Sequence, residues 1–330
     1  MGRRRRSRSR SLTAWRNRLR RQAGQLLQAA RAAVCMMRAM PKLPKPPVSA
    51  KSLLLLVLPL AVACASHPDQ RAEPAAAPPP AVADPTAAKL QAALAGGHRA
   101  EKNRARDVYR HPAETLTFFG LRDDMTVVEL WPGGGWYTEI LGPVLKEKGK
   151  LIVTGNDPNG PPDAPATKRA KEYADGLASK ADVLGKVQLA VIAPPEKLEL
   201  GPPASADLVM TFRNLHGWLN GKYADKVFAA AFAVLKPGGV LGLEEHRGNP
   251  GQDPKTGYVE ETVAIRLAEA AGFKLVEKSE INANPKDTKD YEQGVWTLPP
   301  SYRLGDKDRA KYAAIGESDR MTLKFVKPAR

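Results

Sequence analysis

The chain has 330 residues, enough for one sizeable domain with a buried core and appended segments. Its 51 Lys and Arg against 35 Asp and Glu give a formal charge of +16, which taken whole reads as a nucleic-acid binder. Position removes that reading: residues 1–63 hold 15 of the basic residues and no acid, leaving 36 basic against 35 acidic in 64–330, so a field that steers toward phosphates exists only in the N-terminal arm and nucleic acid is not an expected partner of the rest.

The arm ends in Lys42, Lys45 and Lys51, then the apolar run SLLLLVLPLAVA over 52–63, then Cys64. A basic n-region, a 12-residue apolar h-region and small residues at a cleavage point form a signal-peptide pattern, and the run is too short to span a bilayer comfortably. AVAC at 61–64 resembles a bacterial lipobox, which implies acylation of Cys64 and attachment to a membrane. Ala65, where an Asp would retain the protein at the inner membrane, then points to a periplasm-facing outer-membrane lipoprotein; without use of the signal the expected location is cytoplasmic. Met36, Met37 and Met40 stand just before this region, so residues 1–35 are expected to be a mis-called start; the alternative is a real basic arm for nucleic acid or anionic lipid. No cysteine follows Cys64, which excludes disulfides and thiolate metal sites from the remainder.

Residues 64–86 contain six prolines and many alanines and cannot bury enough apolar surface to fold, so they read as an extended tether. A globular domain is expected over 87–330. Helices are predicted at 87–94, 98–110, 111–121, 136–145 with a break near Gly142-Pro143, 167–179, 223–235 and 259–271. Strands are predicted at 125–130, 150–157, 187–192, 206–212, 240–246, 273–280 and 321–328. Strands apolar on both faces that alternate with helices argue for an α/β fold with a mostly parallel sheet covered on both sides. The last two strands lack a clear intervening helix, which predicts a closing hairpin and an antiparallel edge strand.

Four segments carry the chemistry: VVELWPGGGWYTE, KLIVTGNDP, ADLVMTFRNLHGW, and LKPGG leading into VLGLEEH. In this order and spacing the chain resembles the class I S-adenosylmethionine-dependent methyltransferases, and among them a bacterial group of predicted methyltransferases, over about His98 to Pro328. The resemblance implies a Rossmann-like seven-stranded sheet with helices on both faces, S-adenosylmethionine as cofactor, and a small-molecule or protein methyl acceptor. It also implies cofactor contacts from Glu129, from the loop Gly133, Gly134 and Gly135, and from Asp157, whose carboxylate accepts two hydroxyl hydrogen bonds from a ribose. The family's first loop glycine is replaced by Trp131, whose indole either fills part of the cavity or stacks on the ligand. Asp157 with Pro158 also reads as a simple turn.

Arg213, Asn214 and His216 put a cation, an amide and an imidazole in one short segment after the fourth strand, where the family faces its methyl donor and acceptor. They are the candidate catalytic residues, with His216 as a proton acceptor; the structural alternative is that Asn214 and His216 cap the next helix. Glu244 and His246 share a strand face that Glu245 does not, and a lone pair is a poor metal site, so no metal is expected. His246 and Arg247 are instead expected to line the acceptor side. The long polar segment 284–308 reads either as a lid carrying Trp296 and Tyr302 as an aromatic wall or as an insertion over the sheet edge.

Overall fold

The computed structural model describes residues 85–329, and the basic arm, the apolar run with Cys64 and the Pro/Ala-rich tether up to residue 84 lie outside the described residues, whereas Pro85 and Thr86, expected in the tether, begin the first helix. Helices α1 (Pro85–Ala95), α2 (Glu101–Arg104), α3 (Asp107–Arg110) and α4 (Pro112–Phe119) lead into the sheet. Then come β1 (Thr126–Leu130), α5 (Thr138–Leu145), β2 (Lys150–Gly155), α6 (Pro165–Ala178), α7 (Ala181–Leu184), β3 (Gln188–Val191) and β4 (Ala206–Phe212). The chain continues through α8 (Leu215–Asn220), α9 (Ala224–Val234), β5 (Leu235–Gly248), β6 (Val259–Glu260), α10 (Glu261–Ala270), β7 (Lys274–Ser279), α11 (Arg309–Ile315) and β8 (Arg320–Val326).

The strand order is β3-β2-β1-β4-β5-β8-β7, with the two-residue β6 added against β5. All pairings are parallel except those of β8, which runs antiparallel between β5 and β7, so the α/β class and the antiparallel closing strand both hold, while α11 stands between β7 and β8 where no helix was expected. Period-two alternation loads both faces of the sheet. Val127, Val153, Leu208 and Met210 pack with Leu116, Phe119, Ile140 and Val144 on one side. Val128, Val209, Leu241 and Leu243 pack with Trp218, Val227, Phe228 and Ala264 on the other. Glu129 falls on the Val127 face, and Glu244 and Glu245 fall on opposite faces, which decides what each carboxylate meets.

Two expected elements differ. The helix at 136–145 does not break at Pro143: α5 runs through it. Proline withholds the N–H that Glu139 carbonyl would have accepted, and His98 Nε2 takes that carbonyl at 2.7 Å instead. The segment 98–110 is not one helix but two single turns, α2 and α3. Arg99 is drawn fully inward, where it bonds Asp107 at 2.7 and 2.8 Å and Glu139 at 3.3 Å, and this bends the chain around Trp136.

Candidate functional site

The strand order reverses between β1 and β4, and a crevice opens at the carboxyl ends of such strands. The loop after β1 begins with Trp131 in left-handed backbone (φ 44°), a conformation that suits glycine and costs other residues roughly 1–2 kcal/mol. Three contacts hold it there. Trp131 N donates to Thr154 Oγ1 at 2.9 Å, and Asn214 Nδ2 donates to the carbonyls of Leu130 and Trp131 at 3.0 and 3.4 Å. The indole packs on Trp218 with ring centroids 5.2 Å apart, so it forms a wall against the core.

Gly133 and Gly135 also take positive φ (61° and 80°), while space beside Gly133 and Gly134 is open. Gly135 is covered: a β-carbon there would stand 3.1 Å from Cε2 of Tyr173, which descends from α6. Two cavities flank the loop. One of about 340 Å³ is lined by Trp131, Gly133, Gly155, Asn156, Tyr173 and Asn214. The other, about 450 Å³, is lined by Gly133, Gly134, Gly135, Thr138, Arg169 and Tyr173. Both are of a size that holds small ligands.

Glu129 is buried beneath this loop. Its Oε2 accepts from Thr138 Oγ1 at 2.7 Å, and that hydroxyl lies 2.9 Å from Tyr173 Oη. Burial raises its pKa to about 7, against the lowering effects of Thr138 and Arg213. Asp157 does not line either cavity: it is exposed, and its Oδ1 accepts from Asn159 N at 2.8 Å in the turn. Asn156 lines the cleft in its place.

The three residues after β4 part company because Arg213 is left-handed (φ 61°) and kinks the chain. Arg213 Nη1 donates to Glu244 Oε1 at 2.7 Å on one sheet face. Asn214 turns back to the glycine loop and donates to Thr211 Oγ1 at 3.1 Å as well, with no side-chain cap bond to α8. His216 meets Glu245 on the other face: its main-chain N and its Nδ1 each lie 3.2 Å from that buried carboxylate. A carboxylate on one ring nitrogen fixes the ring and leaves the other nitrogen to exchange a proton. His216 also meets Trp296 edge-on, with centroids 5.9 Å apart.

A second polar cluster lies beside this segment. Glu244 accepts from Arg213 and, at 3.1 Å, from Tyr137 Oη. Glu317 accepts from Arg106 Nε at 2.5 Å, Arg110 Nε at 3.2 Å and Arg320 Nη2. Burial alone would raise the Glu317 pKa, but Arg320, Arg110 and Arg106 outweigh it and bring it to about 2. His246 lies against these arginines, with Nδ1 2.5 Å from Ser318 Oγ, and desolvation followed by Arg320 and Arg213 holds its pKa well below the usual range. Arg247 does not join it: it pairs with Glu280 and Asp319. Trp296 lines this pocket, whereas Tyr302 lies outside it under the Arg309 guanidinium.

Sequence reading missed Tyr173, Arg169, Arg106, Arg110, Glu317 and Arg320. The first two lie on a helix that looks merely amphipathic. The arginines sit in charged runs that read as solvated faces, and the available signals were only the i, i+4 spacing of Arg106 and Arg110 and the acid-base run ESDR at 317–320.

No known family profile and no curated protein matches the chain. Solved structures do resemble it. A SAM dependent methyltransferase from Aquifex aeolicus aligns at 16% identity over 73% of this chain and 98% of its own, with a TM-score of 0.44. An arsenic(III) S-adenosylmethionine methyltransferase from Chlamydomonas reinhardtii aligns at 19% over 76% and 74%, TM-score 0.39. The Burkholderia thailandensis 1,6-didemethyltoxoflavin-N1-methyltransferase, solved with 1,6-didemethyltoxoflavin and S-adenosylhomocysteine bound, aligns at 16% over 68% and 82%, TM-score 0.41.

Proposed function

We propose that residues 87–330 form an S-adenosylmethionine-dependent methyltransferase acting on a small-molecule or protein-borne acceptor. One observation carries the reading. A glycine loop after β1 and Asn214 after β4 stand on the two sides of the sheet's switch point and bound a cleft of about 340 Å³. The residues fit such a cofactor in most respects: the main chain at Gly133 and Gly134 is approachable, Trp131 and Tyr173 offer flat walls, and Asn156, which lines the cleft, would offer hydrogen bonds to a ribose. The group supplies an electrophilic methyl on a sulfonium leaving group, so alignment provides much of the rate. Asn214 holds the loop in register, and His216, tethered by Glu245, is the residue proposed to take a proton from the acceptor. Calorimetric titration of the full chain with S-adenosylmethionine or S-adenosylhomocysteine tests the reading. Saturable binding is expected, and no heat at millimolar ligand would end it.

A second reading is a methyltransferase-like binding module that has lost or exchanged its cofactor. Tyr173 over Gly135 and the outward Asp157 favour it. We also propose, from the signal pattern before Cys64, an envelope-tethered lipoprotein acylated at that cysteine and facing the periplasm. Among the described residues no helix is long and apolar enough to cross a membrane. Mass spectrometry of the mature N-terminus decides this point: an unmodified peptide spanning Ala63–Cys64 in the membrane-free fraction would refute it.

A further inference from the structure

Four guanidinium groups converge on one cavity of about 160 Å³, the room of roughly five waters. Arg106 and Arg110 arrive from the segment before α4, Arg213 from the end of β4 and Arg320 from the start of β8. Two carboxylates answer them. Glu317 takes one nitrogen from each of Arg106, Arg110 and Arg320, and Glu244 takes Arg213 Nη1, with Arg320 Nε 3.4 Å away. Among the described residues, the Nη atoms of Arg106 and Arg110 and the Nε and Nη2 of Arg213 have no protein acceptor. Four cations therefore face two anions. Arg110 registers it: burial, then Arg213, with Arg320 and Arg106, presses its pKa down to about 9.

Concentrated positive charge in a partly desolvated pocket is costly unless an anion joins it, and forked guanidinium donors match the oxygens of a carboxylate or phosphate. The remaining wall comes from the 284–308 segment through Trp296, Pro299 and Ser301. The Arg106 and Arg213 side chains retain 23% and 16% exposure, so the cavity opens to solvent at that edge.

We propose that this cavity binds the anionic group, carboxylate or phosphate, of a small molecule through Arg106, Arg110 and Arg213. A cavity of this size holds the anionic group itself, and its open edge leaves the rest of the molecule outside. Arg213 is the chain neighbour of Asn214, which lines the glycine-loop cleft, so the two sites share the segment after β4 although no residue lines both cavities. That this molecule is the methyl acceptor rests on the methyl-transfer reading; the binding of the anion does not.

The test is titration of the full chain with inorganic phosphate and, separately, acetate, at constant ionic strength and without any adenosyl compound, followed by calorimetry and thermal unfolding. Saturable binding of at least one is expected, and the stronger of the two assigns the group. Arg106→Gln and Arg110→Gln should each weaken it by about tenfold or more, and Arg106→Lys should restore part. Should Arg110→Gln fail to fold, the more exposed Arg106 pair carries the test. No saturable binding by the native protein, or unchanged binding in a natively folded Arg106→Gln, overturns the proposal. Anion binding without S-adenosylhomocysteine binding would sustain the site and remove the acceptor assignment.

Discussion

Tyr173 lies on Gly135: its Cε2 stands 3.1 Å from where a β-carbon at 135 would project, and Gly135 holds φ 80°. One loop glycine thus serves the protein's own ring, while Gly133 and Gly134 remain open. Gly135→Ala should cost about 1–2 kcal/mol, from left-handed strain and from the collision together. In a Tyr173→Ala background the collision is gone, and urea unfolding should report a coupling of at least about 0.5 kcal/mol between the two sites. Strict additivity would mean that the ring yields freely.

Trp131→Gly sets relief of a left-handed residue against loss of the Trp218 contact and of half-buried indole area. The area term is the larger, so a net loss of about 1 kcal/mol is expected in chemical denaturation. Because the indole is a wall of the cleft, S-adenosylhomocysteine affinity should fall by about tenfold. Tighter binding would instead identify the indole as an obstruction and favour the binding-module reading.

Glu129 predicts a loss of stability with rising pH. Its folded pKa of about 7 lies above the ordinary 4.5, so the folded state holds a proton that the unfolded chain releases. Its contribution is present below about pH 4.5 and is lost as pH rises to about 7, by about 3 kcal/mol at most. Glu129→Gln keeps an acceptor for Thr138 and cannot ionise. Urea unfolding at pH 5 and pH 8 should show a smaller decline for the variant than for the native protein.

Glu317 predicts the opposite sign. Its folded pKa of about 2 lies below the ordinary 4.5, so its contribution is present above about pH 4.5 and disappears as pH falls toward 2, by about 3 kcal/mol. Glu317→Gln should be destabilised by about 3–5 kcal/mol at neutral pH, because three arginines lose their shared counter-charge. It should show a flatter profile in acid unfolding followed by circular dichroism.

Much of the fold was legible because its signals are local. Runs such as TVVEL and ADLVMTF, mostly apolar on both faces, and the loop glycines after the first of them required no partner to be known. Where a distant residue intervened, reading failed. His98 satisfies the carbonyl that Pro143 frees and keeps α5 whole, and Arg99 folds 98–110 into two turns. The site divided likewise. Arg213, Asn214 and His216 fall within four consecutive residues, yet a single left-handed residue sends them to Glu244, to the glycine loop and to Glu245.

Periodicity and turn chemistry are properties of a few consecutive residues, so the amino-acid order alone determined a doubly covered parallel sheet, its antiparallel closing strand and a glycine loop after its first strand. Charge assembly is different, because a guanidinium is either solvated or gathered according to what lies 100 or 200 residues away. Only the tertiary structure brought Arg106 and Arg110 to Glu317 and Arg320, set Tyr173 on the loop and turned Asp157 outward.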